Sequence, residues 1–194
     1  MSKLSFLSTK RSKRLGLLAL VVLGSALWML RGTLAHATAL RVFQIPSGSM
    51  APTLKAGDRI FVDTLRDATP ARGELWLFTA PASSIFVKRV IGLPGETVEV
   101  VRGQVMIDGK PLSEPYLASP VAYDMPPLTL KAEEYFMLGD SRAASNDSHI
   151  WGPVPLKEFV GRATYRCWPP ARVGGLPLPT ALSKLVPLQP PQGR

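Results

Sequence analysis

Sixteen consecutive uncharged residues, Leu15 to Leu30 (LGLLALVVLGSALWML), set the first limit on how this chain can fold. As a helix they cover about 24 Å, a little under the roughly 30 Å hydrocarbon core of a bilayer. Arg31 can snorkel, Gly32 to Ala35 can extend the span, and Trp28 near the far end suits an interface. Lys3, Lys10, Arg11, Lys13 and Arg14 precede the run with no acid among the first 14 residues, while Arg31 and Arg41 follow it. The positive-inside rule therefore puts the N-terminus in the cytoplasm and everything after the run on the other side. A removable secretory leader is the rival reading, because Ala35-His36-Ala37 is a small-x-small triplet at a suitable distance. The run is long for a leader and Arg31 interrupts the approach to the triplet, so a retained anchor is favoured.

Of the net charge of +9, five positive charges belong to that N-terminal tail. Downstream there is no basic stripe interleaved with aromatics, so the tail reads as a lipid-facing flank and nucleic acid is not an expected partner. The 194 residues allow one ordinary domain, with 46% hydrophobic residues to build its core. With 19 prolines, 16 glycines and few helix-forming runs after residue 40, the expected class is mostly β with one N-terminal transmembrane helix. The expected plan is a basic tail at 1–14, an anchor at 15–36, a β-domain at 37–168 and a Pro-rich tail at 169–194. A short hairpin and loop are inserted in the β-domain at about 97–130.

Strands are expected at Leu40 to Ile45, Arg59 to Asp63, Glu74 to Phe78, Ile85 to Ile91, Tyr135 to Leu138 and Gly161 to Cys167. A hairpin is expected around Gly103 and a helical turn within Pro155 to Val160. Residues 109–130 read as an extended loop or small flap. Cys167, the single cysteine, excludes an internal disulfide and reads as a structural thiol. Two histidines, His36 and His149, are too few and too far apart for a histidine-rich metal site.

Chemistry concentrates in three segments. Ser47-Gly48-Ser49-Met50-Ala51-Pro52 places a serine in a tight loop just beyond the apolar run. A serine hydroxyl needs a base within hydrogen-bond reach, and His149 is the only histidine of the β-domain that could serve in a Ser-His-Asp triad. A lysine can serve instead if burial lowers its pKa. Lys88 lies 39 positions after Ser49 between Phe86-Val87 and Val90-Ile91, in an apolar strand. Arg89 cannot be the base, and strand alternation sends it to the opposite face. On spacing alone, Lys88-Arg89 reads rather as an edge-strand charge pair, and Ser49 as an ordinary turn serine. Ser47, two residues earlier, can aim its hydroxyl at a developing oxyanion beside the Ser49 amide. The third segment, Gly139 to Ser148, sets small polar residues and two acids in a loop that by itself reads as an Asx-rich turn.

Together these segments resemble the bacterial type I signal peptidases. The matching stretches are Phe43 to Leu54, Gly57-Asp58, Lys88 to Glu96, Gly139 to Arg142, and Ser145 through Asp147-Ser148 to Trp151-Gly152. The resemblance implies a mostly β hydrolase with an apolar, membrane-facing edge. Its expected place is the bacterial cytoplasmic membrane, single-pass, with the catalytic domain outside. Its partners would be the bilayer and the signal-peptide region of exported preproteins, cleaved after small-x-small motifs, with no metal or organic cofactor. Ser49 matches the nucleophile, Lys88 the general base, Ser47 and the Ser49 amide the oxyanion donors, and Ser145 the residue that orients the lysine. Asp140, Arg142, Asp147 and Arg89 match structural polar positions; Phe43, Ile45, Met50 and Val87 match shallow substrate pockets.

The chain departs from the family pattern at Ser141, Ala143 and Ala144, and His149 stands where arginine is common. Asp147 is then expected to lean on Arg89 or Arg142. Competing expectations are a specialised processing peptidase of the same clan and a catalytically silent membrane-anchored binding protein. An autoproteolytic repressor would need a DNA-binding segment where the apolar run lies.

Overall fold

The computed structural model describes residues 21–25, 28–29, 40–64, 68–80 and 84–176. Two units are distinguishable, residues 1–40 and 41–194. Of the first, residues 21–25 and 28–29 are helical. Most of the expected 15–36 span lies outside the described residues, and among these no helix is long and apolar enough to cross a membrane.

The second unit is mostly β. Its larger sheet contains β1 (Leu40–Gln44), β2 (Arg59–Asp63), β3 (Leu75–Ala80) and β4 (Ser84–Gly92). It is completed by β9 (Glu134–Leu138), β10 (Val154–Pro155), β11 (Phe159–Trp168) and β12 (Gly174–Gly175). The order is β1-β2-β11-β3-β4-β9-β10, with β12 pairing against β11. A second sheet has the order β7-β6-β5-β8, from β5 (Thr97–Val101), β6 (Gln104–Ile107), β7 (Lys110–Pro111) and β8 (Met125–Thr129).

The alternation that suggested strands also distributes the core. On β3, Leu75 and Leu77 join Ile45, Met50, Leu54, Ile60 and Val62 in one apolar cluster, while Trp76 and Phe78 join Val90, Tyr135 and Met137 in another. A strand buried on both faces reads as a continuous apolar run, as Leu75 to Phe78 does. A third cluster ties the small sheet to the ends of β4 and β9 through Ile91, Val98, Ile107, Phe136 and Leu138.

Arg102 and Gly103, both at positive φ, make the two-residue turn between β5 and β6, as type I′ geometry requires. The segment 109–130, read as a loop or flap, instead contributes β7 and β8. β8 carries Pro126 and Pro127, which a central strand would reject, but it lies on the sheet edge, where a missing amide donor costs little. The helical turn expected near 155–160 is a 3₁₀ turn at Leu156–Glu158. A further short helix, Ser148–Trp151, was not expected. The first part of the Pro-rich tail packs onto the domain: Leu176 is buried, and Arg172 donates to the buried Asp58 carboxylate at 2.9 Å.

Candidate active site

The Ser49 loop is shaped from both ends. Ile45 is paired to the backbone on the far side of the loop, accepting from Gly57 N and donating to Asp58 O. Met50 and Leu54 are fully buried, and the Leu54 amide donates to Met50 O. Ser49 is thus presented by a turn whose next residue is anchored in the core. Its carbonyl accepts from the Ser141 amide at 3.1 Å, which ties the loop to the third segment.

Lys88 lies on β4, inside the sheet between β3 and β9, so the edge-strand reading is replaced by an interior one. Its register partner is Trp76, while Arg89 stands opposite Leu75 and Leu138. The Lys88 side chain is 3% exposed, and its Nζ donates to Ser49 Oγ at 2.8 Å and to Ser145 Oγ at 3.0 Å. Ser47 Oγ is 3.3 Å from Ser49 Oγ. Burial pushes the Lys88 amine down to about 8, against the opposing pull of the Asp147 and Asp140 charges. His149 is bonded to Asp147, not to Ser49, so the histidine triad has no counterpart here.

Arg89 turns the other way and is fully buried. Its Nε and Nη2 donate to the two oxygens of Asp140 at 2.8 and 2.6 Å, and its Nη1 donates to Gly73 O at 2.7 Å. Thr53 Oγ1 donates to the same carboxylate at 2.5 Å, and the Tyr116 ring lies 3.9 Å from the guanidinium carbon. Removing one partner of so buried a pair typically costs about 3–5 kcal/mol, because the other charge is left uncompensated.

Arg142 donates to Gly139 O at 3.0 Å and bidentately to Glu114. The expectation that Asp147 leans on Arg89 or Arg142 is therefore corrected, since both guanidiniums are occupied by other carboxylates. Asp147 Oδ2 instead accepts from the Gly139 amide at 2.9 Å, and Oδ1 accepts from His149 Nδ1 at 2.6 Å.

Beside the Ser49–Lys88 contact runs a groove of about 610 Å³ lined by Phe43, Ile45, Val87, Leu77, Phe86 and Ala144, among others. Met50 does not line it; the side chain is fully buried in the cluster with Leu54 and Ile60. Sequence reasoning missed Leu77, Phe86 and Ala144 as lining residues, and Thr53, Glu114 and Tyr116 as supports. Glu114 and Tyr116 come from the segment read as a loop and carry no local signal. Among the described residues no three His, Cys, Asp or Glu side chains group as metal ligands.

A model of the family described as signal peptidase, peptidase S26, matches residues 13–168. The chain belongs to that family. It is 43% identical over 143 residues to a signal peptidase I of Leptolyngbya laminosa, covering 68% of this chain and 70% of the relative. A probable signal peptidase I-2 of Synechocystis sp. is 44% identical over 140 residues, 67% of this chain and 64% of that one. A signal peptidase I crystal structure from Enterococcus faecalis matches at 33% identity and a TM-score of 0.46, over 49% of this chain and 97% of the other. The protein is accordingly a hydrolase, a serine endopeptidase that cleaves signal peptides.

The approach of the three segments depends on Gly139. A Cβ there would lie 2.1 Å from Ser145 Oγ and 2.5 Å from Ser49 O. Gly139→Ala should therefore lower kcat/KM by about 10²-fold or more, because displacements of about 1 Å at reacting groups cost that much. Steady-state cleavage of a preprotein, with a thermal melt alongside, checks it; near-normal kcat/KM would show that the approach is not needed.

Proposed function

We propose that Ser49 is the nucleophile and Lys88 the general base of this peptidase. The reading rests on the buried Lys88 amine, 2.8 Å from Ser49 Oγ, whose two hydrogen-bond partners among the described residues are hydroxyls rather than carboxylates. A neutral amine in that position accepts the Ser49 proton as Oγ attacks the scissile carbonyl. The Ser49 amide and the exposed Ser47 hydroxyl receive the oxyanion. Lys88 then gives its proton to the leaving amine and takes one from the water that hydrolyses the acyl-enzyme. Ser145, on the other side of Nζ, keeps the amine aimed at Ser49. The apolar groove beside Phe43, Ile45 and Val87 suits an extended peptide with small side chains before the cleaved bond, the small-x-small pattern of exported preproteins.

The same reading keeps the enzyme at the bacterial cytoplasmic membrane. Residues 15–36 form the anchor, the basic tail lies inside, and the β-domain works on the outer face. The support is the uncharged Leu15 to Leu30 run with five basic residues before it.

Ser49→Ala and Lys88→Ala should each reduce kcat by about 10³-fold or more on a preprotein with an Ala-x-Ala site. Wild-type-like cleavage by either discards the pair. The pH profile has a fixed sign: only the neutral amine is active, so kcat/KM rises through about pH 8, where burial places the Lys88 transition, and levels above it. A flat profile between pH 6 and 10 removes lysine as the base. After alkaline carbonate extraction the full chain should stay in the membrane pellet with Met1 still present. A soluble product beginning at Thr38 would replace the anchor by a cleaved leader.

A further inference from the structure

Two carboxylates act on the proton of Lys88, Asp140 and Asp147. Asp140 is neutralised by a bidentate guanidinium, Arg89. Among the described residues Asp147 has no guanidinium, because Arg142 is spent on Glu114 and Gly139 O. Tyr116 does not reach it either, since its hydroxyl donates to Glu114 at 2.6 Å. Apart from two backbone amides, Gly139 and His149, the donor on Asp147 among the described residues is the His149 ring. A carboxylate only accepts, so at 2.6 Å the proton of that contact sits on Nδ1. The ring plane is set by Tyr123, stacked 4.3 Å away at an interplanar angle of 13°. Among the described residues the Tyr123 hydroxyl is buried without a partner, and burial pushes it up to about 12, so it stays neutral beside the pair.

We infer that His149 is a positioning residue that decides when Lys88 sheds its proton. Held flat against Tyr123, it donates to Asp147 and so limits the negative charge that Asp147 turns on the amine. Without that donor Asp147 pulls harder on the lysine proton, and the active neutral form appears only at higher pH. The effect differs from a packing role, which would lower the rate at every pH and leave the profile where it was.

The inference rests on the proposed Ser49–Lys88 reading, and one experiment separates the two. The full chain in detergent is assayed from pH 6 to 10.5 on a peptide spanning an Ala-x-Ala site, as wild type, His149→Phe and His149→Asn. Phenylalanine keeps the stack on Tyr123 but loses the donor; the asparagine amide can stand near the place of Nδ1. The rising limb of kcat/KM should move up by about half a unit to one unit in His149→Phe, with the rate approaching wild type at the alkaline end. It should stay near the wild-type position in His149→Asn. An unmoved limb in His149→Phe overturns the inference, whatever the rate, as does an equal shift in His149→Asn. A wild-type profile with no rising limb overturns the lysine base itself. Should His149→Phe fail to fold, Tyr123→Ala reads the same device: a smaller upward move supports it and none overturns it.

Discussion

Two cations stand side by side on one interior strand, and the sheet deals with them in opposite ways. Alternation along β4 sends Lys88 and Arg89 to different faces. Both are almost wholly buried, a costly arrangement for a charge unless it is neutralised or lost. Arg89 cannot lose its proton, and it is met by both oxygens of Asp140 together with Gly73 O. Lys88 meets Ser49 and Ser145, two groups that hydrogen-bond an amine in either protonation state. The choice of partner makes one cation a fixed structural charge and leaves the other free to exchange its proton. A carboxylate in place of Ser145 would hold Lys88 charged and remove the proposed base.

That arrangement needs three distant segments to meet within bonding distance, and each is held by something other than the site. The serine loop is anchored by Met50 and Leu54, the lysine by a strand paired on both sides, and the Gly139 loop by Arg142 and Asp147. Gly139 accepts the closest approach because no side chain stands between Ser145 and the Ser49 carbonyl. Building the groups on packed elements fixes their mutual geometry through the fold.

Features written locally were legible in the sequence. Arg59 to Asp63 alternates and ends at turns, and the strand has those bounds. Ser49 and Lys88 were legible because each sits in a distinctive short context, and their meeting needed only the fold. Features settled by long-range contact were not. Pro126 and Pro127 read as loop because the sequence does not say which strand takes the edge. Met50 matched a substrate pocket, but an apolar side chain beside a serine suits pocket and core alike, and only the packing of β2 and β3 against it decides for the core. Glu114 gives no hint of Arg142, 28 residues away, and the pairing of Asp147 with His149 rather than an arginine follows from where Arg89 and Arg142 are already bound.

The small sheet is tied to the chemistry by the same accounting. Its connections carry Glu114 to Arg142, Tyr116 to Arg89 and Tyr123 to His149, so each cation or donor behind the lysine is covered by a residue of that insert. Arg142 without Glu114 would be a buried guanidinium with only a carbonyl to meet it, and its hold on Gly139 would compete with its need for water. Stripping the Tyr116 ring from Arg89 would admit solvent beside the Asp140 pair and weaken the charge that Asp140 turns on Lys88. The segment read from sequence as a Pro-rich flap thus closes the back of the site. The insert can shorten only as far as those three side chains still reach their partners.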